Sequence, residues 1–409
     1  MKIKPWAACL SITLFFVYEF IQCTMLDSLT PLLMKSMHID AAQVAYISAA
    51  YFYTNILFLI PAGIILDKYS LKQIAPMAIS ISLIGTFIFS QSHTLAFAII
   101  ARLISGIGGA FAFNSCAKAA IHHFSPERFP FVIGIITSLA FLGGVLSHAP
   151  LLYLATQEGW DQAILKLGEI GIAILLVNFF AHRDEEFKNS KIIFSLNDFF
   201  AILKNKFTWI GGIYTSLINL PVILLSSMWS TLYLTQANHL SSLTASFCSS
   251  ATFIGLIIGS PFVGLLASSA KNTKRLMQLS AASLAMISLV FIFPLSLSVK
   301  LFWIIFFLLG IVSSAQTIGY SIVIQNNSFN HSSLVVSIAS IIVLTLGTLL
   351  KVLFGKILDF GWKGTVDHGL MVYPAQDFAH AMIILPISFL MAFLIAHGYV
   401  SNKGTAHQS

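Results

Sequence analysis

Hydrophobic positions in this chain do not alternate with polar ones; they come in long blocks. Runs of about 20 apolar residues, each enough to carry a helix across about 30 Å of hydrocarbon, recur along the whole 409-residue chain, separated by short polar stretches. Taken block by block, they predict helical spans at 6–30, 42–66, 73–90, 94–119, 130–153, 164–181, 208–234, 241–268, 275–296, 300–325, 332–354 and 378–397. No stretch between them could fold as a soluble domain, which predicts an all-α polytopic membrane protein. The first span follows Lys2 and Lys4, carries Glu19 and lacks a small-x-small cleavage site, so it reads as a retained helix rather than a signal peptide. After the sixth span comes Arg183-Asp184-Glu185-Glu186, then Ile192, Phe194, Leu196, Phe199, Phe200 and Leu203 among Lys and Asn. That mixture suits a short amphipathic helix on a membrane surface. The organisation expected is a six-helix half at 1–181, a linker with this helix at 182–207, and a second six-helix half at 208–409. The stretch from Asp359 to Asp377, with Gly361, Trp362, Gly364 and Gly369, reads as a turn outside the membrane.

Composition agrees: 57% of residues are apolar and only 9% charged, against about 25% charged in soluble proteins. The net charge of +7 reports topology rather than nucleic-acid binding. Lys68, Lys72, Lys118, Arg128, Arg183, Lys188, Lys191, Lys204, Lys206, Lys271, Lys274, Arg275 and Lys403 share one side with Lys2 and Lys4. The other side holds Lys35, Lys166, Lys300, Lys356 and Lys363. By the positive-inside bias both termini are expected in the cytoplasm. Cys9, Cys23, Cys116 and Cys248 all fall in apolar runs at no metal-like spacing, so no metal or other cofactor is expected.

One interruption is distinctive. Pro61-Ala-Gly-Ile-Ile-Leu-Asp-Lys-Tyr-Ser-Leu-Lys-Gln73 passes from hydrocarbon straight into charge. It resembles the loop after the second helix of the major facilitator superfamily, roughly Gly-x-Leu-x-Asp-Arg-x-Gly-Arg-Arg, through Gly63, Leu66 (displaced by one), Asp67, Lys68 and Lys72, with Ser70 in place of Gly. A degenerate copy, Gly264-Leu-Leu-Ala-Ser268, ends the eighth span. Arg102-Leu-Ile-Ser-Gly106-Ile-Gly108 is similar to the family's Arg-x-x-x-Gly-x-Gly element. Cys116-Ala-Lys118, Phe124-Ser-Pro126-Glu-Arg128-Phe129, Gly143-Gly144, Gly159-Trp160, Trp229 and Gly355-Lys-Ile-Leu-Asp359 continue the resemblance in the manner of a bacterial branch. The likeness implies two six-helix halves related by an axis along the membrane normal, a substrate site between them near mid-depth, a monomer, and a bacterial inner-membrane location. It also implies that Asp67 latches the inner helix ends, with Gly63, Lys68 and Lys72 completing the gating motif, and that the Ser268 copy holds its half less firmly.

Ionisable groups within the spans are functional candidates by default. Glu19 lies about 20 Å of helix beyond Trp6 and reads either as a proton carrier or as a structural hydrogen-bonding group. Arg102 reads either as a proton- or substrate-handling group or as half of a salt bridge with Glu19 or Asp27. Gln22 and Cys23 stand where relatives often carry an arginine suited to a carboxylate. Lys351 either replaces that charge or snorkels from a span end to the interface. The family lines its cavity from spans one, four, seven and ten, which here offer Tyr18, Gln22, Asn114, Asn219, Trp229, Gln316 and Tyr320 for substrate or for interhelical hydrogen bonds. No Gly-x-x-x-x-Gly-Lys-Ser/Thr loop is present, so the energy source implied is an ion gradient. No nucleophile, base or metal set has catalytic spacing, and an enzyme is not expected. The function implied is proton-coupled symport of a small organic solute (amino acid, peptide or carboxylate) by alternating access, with the proton carried through Glu19, Asp27 or Arg102. Drug or metabolite efflux on the same fold, and a transporter-like receptor that moves nothing, are the alternatives.

Overall fold

The computed structural model describes residues 5–124, 129–181, 196–266, 270–293, 297–327, 332–367 and 370–399. Among them, twelve helices are long and apolar enough to cross a membrane: Pro5–Thr24, Ala41–Leu66, Leu71–Ser90, Leu95–Ala120, Val132–Glu158, Trp160–Ala181, Lys206–Gln236, Ser242–Val263, Thr273–Phe291, Val299–Gln325, Leu334–Gly361 and Ala375–Gly398. Consecutive spans run in opposite directions. The face where the first span begins is called proximal below, and the opposite face distal. Proximally, Trp6 meets Phe124 with ring centroids 4.8 Å apart. Distally, Phe89 meets Trp160 at 5.8 Å.

The boundaries differ from expectation where polar residues are helical. The first span breaks at Met25 and resumes as Leu26–Met37, running through Pro31 and past the expected end at 30. The eleventh continues to Gly361, so Asp359 lies in a helix rather than in the expected turn. The turn signals there, Gly361, Trp362 and Gly364, begin only as the helix ends. Beyond it, Val366–Asp367 pairs antiparallel with Leu370–Met371. The seventh span opens into a π-helix over Pro221–Trp229. Pro221 has no N–H to give to a regular ladder, and wider turns absorb the mismatch. The expected amphipathic helix is present as Leu196–Lys204; its buried Ile202 packs with Val323, Val335 and Ile338 of the tenth and eleventh spans, while Phe200 stays exposed.

Glycines set how closely the fourth span approaches the second. A Cβ at Gly106 would lie 2.1 Å from the Tyr51 carbonyl oxygen, and one at Gly109 would lie 2.2 Å from the Tyr51 hydroxyl and 2.8 Å from Glu19 Oε2. The Arg-x-x-x-Gly-x-Gly element therefore serves helix contact, placing Arg102 against the second span. The basic residues Lys2, Lys4, Arg128, Arg183, Lys188, Lys191 and Lys403, the linker at 182–195, and Ser268 of the degenerate copy lie outside the described residues, as do the side chains of Asp67 and Lys271.

Candidate functional site

Three buried polar groupings occupy the interior. The first lies within the first four spans and joins four of the expected site residues, Tyr18, Glu19, Gln22 and Arg102, to two that sequence reasoning does not single out, Tyr51 and Thr86. Arg102, fully buried, donates from Nη1 to Gln22 Oε1 at 3.1 Å and from Nη2 to the Gln22 carbonyl at 2.6 Å. Gln22 Nε2 donates in turn to Tyr18 Oη at 3.0 Å and Thr86 Oγ1 at 2.6 Å. The salt bridge with Glu19 or Asp27, one of the two readings of Arg102, is not formed among the described residues. Instead Tyr51 stands between the charges: its hydroxyl donates to Glu19 Oε2 at 2.9 Å, and its ring lies under the Arg102 guanidinium, 4.7 Å from centroid to Cζ. A desolvated cation–π contact of this kind contributes about 2 kcal/mol. Among the described residues, Glu19 Oε1 and Arg102 Nε have no hydrogen-bond partner. Tyr51 carries no sequence signal beyond being one aromatic among many in an apolar run.

The second grouping surrounds Lys351. The longer eleventh span puts it ten residues, or about 15 Å, short of the distal helix end, and it is fully buried. It does not snorkel. Its Nζ donates to Ser48 Oγ at 3.0 Å and lies 4.5 Å from the Phe52 ring centroid, both on the second span. Trp229 Nε1 donates to the Lys351 carbonyl at 3.2 Å, and the Trp229 ring stacks on Phe354 at 5.2 Å.

Asp27 forms the third. Its carboxylate is fully buried and accepts from Ser230 Oγ at 2.9 and 3.0 Å, from Thr231 N at 3.1 Å and from Thr231 Oγ1 at 2.6 Å, joining the first span to the seventh. His148 of the fifth span sets Nε2 3.3 Å from Asp27 Oδ2. Its other nitrogen, Nδ1, is 2.6 Å from the Gly144 carbonyl oxygen. A carbonyl can only accept, so Nδ1 donates to it, while Nε2, close as it is to Asp27, makes no hydrogen bond among the described residues.

Asp359 completes the distal side. It accepts from the first backbone N–H groups of the second span, Ala41 at 3.2 Å and Ala42 at 2.8 Å, and from Tyr373 Oη at 2.6 Å. An anion at a helix N-terminus is favoured by the orphan N–H groups and the helix dipole. Burial, with the adjoining Asp359 carboxylate, raises the Tyr373 phenol above its ordinary range. Among the described residues, hydrogen bonds joining the first six spans to the last six fall at mid-depth or distally: Lys351 to Ser48, Asp27 to Ser230 and Thr231, Asp359 and Tyr373 to the start of the second span.

The remaining expected cavity residues are not gathered. Asn114 donates to the Leu59 carbonyl at 3.3 Å, Tyr320 pairs with Ser340 at 3.3 Å, and Gln316 accepts through its backbone from Thr215 at 3.0 Å; all three bond within their own half and, like Asn219, are partly exposed. In the gating motif, Gly63 faces open space, Lys68 is exposed and Lys72 partly buried. Lys118 donates to the Leu66 and Tyr69 carbonyls, capping the last turn of the second span rather than reaching away to the interface.

This architecture of twelve spans, joined distally and at mid-depth, agrees with what comparison finds. A sequence profile described as Major Facilitator Superfamily matches residues 10–359. The chain belongs to that superfamily. This member is 23% identical over 179 residues to the probable sulfoacetate transporter SauU of Cupriavidus necator, a match spanning 44% of this chain and 42% of that protein. It is 21% identical over 175 residues to the tetracenomycin C resistance and export protein of Streptomyces glaucescens, spanning 42% and 32% respectively. The aligned part is thus under half the length of either relative. Among solved structures, the superfamily member resembles a bacterial homologue of the human lysosomal transporter Spinster, inward-facing and unoccupied, with TM-score 0.75, 15% identity and coverage of 97% of this chain and 98% of the other. The nucleoside transporter NupG matches with TM-score 0.74, 15% identity and coverage of 94% and 99%. The family match and the twelve apolar helices establish a multi-pass membrane protein of a transporter superfamily, which is not an enzyme class.

Proposed function

We propose that this transporter is a proton-coupled symporter of a small organic solute in the bacterial inner membrane, with the proximal face and both termini in the cytoplasm. The single observation that carries the coupling is Asp27, a buried carboxylate shared across the two halves, with His148 Nε2 3.3 Å from it. The ionised form accepts every donor around it, so it holds the distal face shut. A proton arriving from the distal side removes the charge, weakens the bonds to Ser230 and Thr231, and lets that face open. Loss of the proton toward the proximal side restores the seal. Glu19, tied to Arg102 through Tyr51, is the second proton candidate, and the interface between 1–181 and 208–409 is the route for the solute. The distally sealed arrangement is consistent with the inward-facing state of the Spinster homologue. Efflux is the second reading, favoured by the export protein among the relatives.

The test is transport in proteoliposomes with a pH gradient of either sign. Symport predicts solute accumulation on the alkaline side, abolished by a protonophore. Efflux by antiport predicts accumulation on the acidic side. Binding without either movement would identify a receptor and overturn the proposal.

A further inference from the structure

Lys351 is an ammonium group carrying three N–H donors, buried at mid-depth between the two halves, with a single hydrogen bond among the described residues, to Ser48. No carboxylate among those residues lies within 4.0 Å of it. The ring of Phe52 compensates only in part. Fully buried lysines are rare unless paired, and a cation left with two unfilled donors in a low-dielectric interior is costly. A second cation lies close by through adjacent aromatic residues: Arg102 is 4.7 Å from the Tyr51 ring, Tyr51 is 5.3 Å from Phe52, and Phe52 is 4.5 Å from Lys351. Arg102 has also kept Nε unpartnered. Against these two cations the neighbouring aromatic cluster holds one carboxylate among the described residues, Glu19, whose bonded oxygen faces Tyr51. The ionisable groups facing Lys351 are Cys23, Arg102 and Asp27. Asp27 already accepts from three donors, Ser230 Oγ, Thr231 N and Thr231 Oγ1, and neither it nor Cys23 is hydrogen-bonded to the ammonium among the described residues.

We propose that Lys351 is the anion-binding residue of the solute site, and that the transported solute is an organic acid whose carboxylate or sulfonate takes the two free N–H donors. The cation absent from the first span at Cys23 is supplied from the opposite half. Because Lys351 belongs to the last six spans and Ser48 and Phe52 to the first six, a bound anion contacts both halves, as a solute that triggers alternating access must. The inference rests on the transport reading above and narrows its substrate class.

The experiment uses the full chain with Cys9, Cys116 and Cys248 replaced by Ala, leaving Cys23 as reporter. Its alkylation rate by N-ethylmaleimide is measured with succinate, sulfoacetate, the neutral nucleoside uridine or the cation choline. Expected is at least a tenfold slowing by one or both acids and none by uridine or choline. Lys351→Gln should abolish the protection, and Lys351→Arg should retain it, which separates a lost charge from a misfolded variant. Equal protection in Lys351→Gln, protection by uridine alone, or no protection by either acid overturns the inference. Counterflow of the same four solutes keeps the two readings apart. Uridine exchange would refute the anion assignment and leave transport standing, whereas an acid that protects Cys23 yet never exchanges would refute transport.

Discussion

Replacing Asp27 by Asn keeps the side-chain shape and removes only the charge and one acceptor. In the native seal three donors, Ser230 Oγ, Thr231 N and Thr231 Oγ1, point at the carboxylate at 2.6 to 3.1 Å. A hydrogen bond to a charged group contributes about 1.5–3 kcal/mol, and a neutral one about 0.5–1.5. The Asn oxygen can keep the Thr231 N–H, and the Thr231 hydroxyl can rotate to accept from the new amide. The loss is therefore charge assistance on the three bonds, about 1–1.5 kcal/mol each and about 3–4.5 kcal/mol in total. At 1.36 kcal/mol per tenfold, the sealed state falls by roughly 150- to 2,000-fold relative to the opened one. Hydrogen exchange by mass spectrometry reads that ratio directly. Peptides covering 26–37 and 226–236 should exchange faster by that factor in Asp27→Asn, while 71–90 should not change. Exchange within threefold of wild type in both distal peptides would refute the assignment of Asp27 as the seal.

Other outcomes follow from the same contacts. Glu19→Gln should abolish uptake driven by a pH gradient while sparing exchange of preloaded solute; unchanged driven uptake would remove Glu19 from the proton path. Asp359→Asn should weaken the distal seal by about 1–2 kcal/mol through lost charge at the start of the second span, seen as faster exchange at 41–46 with 26–37 unaffected. The raised Tyr373 phenol favours its protonated, donating form, so stability linked to it is intact below about pH 10 and is lost as pH rises beyond that; Tyr373→Phe should remove this alkaline component from thermal unfolding. Gly109→Ala should displace the Glu19–Tyr51 contact, because its Cβ would lie 2.2 Å from the Tyr51 hydroxyl. That variant should fold, and should lose driven uptake as Glu19→Gln does.

The number of spans, most of their limits, the polar linker helix and the family are legible because membrane insertion depends on a run of apolar residues, and such a run is visible without any partner. Boundaries are missed where a polar residue is paid for by a distant group: Asp359 stays helical because the second span's N–H groups receive it, and sequence offers only the neighbouring glycines. Glu19, Gln22 and Arg102 can be named as candidates because charge and amide groups in hydrocarbon stand out. Their geometry cannot, since Tyr51 and Thr86, which connect them, look like ordinary membrane residues. Lys351 turns on seven residues of helix. With the eleventh span ending at 354 it would lie near an interface, and with the span ending at Gly361 it lies between the halves. His148 declares itself only through the Gly144 carbonyl and Asp27, two contacts that sequence spacing does not encode.

The most direct measurement of proton coupling through Asp27 is solute accumulation in proteoliposomes under an imposed pH gradient, comparing wild type with Asp27→Asn. Accumulation on the alkaline side by wild type, collapsed by a protonophore, with Asp27→Asn exchanging solute but never concentrating it, is the predicted result. Concentration by Asp27→Asn to the wild-type level, or wild-type accumulation that ignores the protonophore, would contradict it.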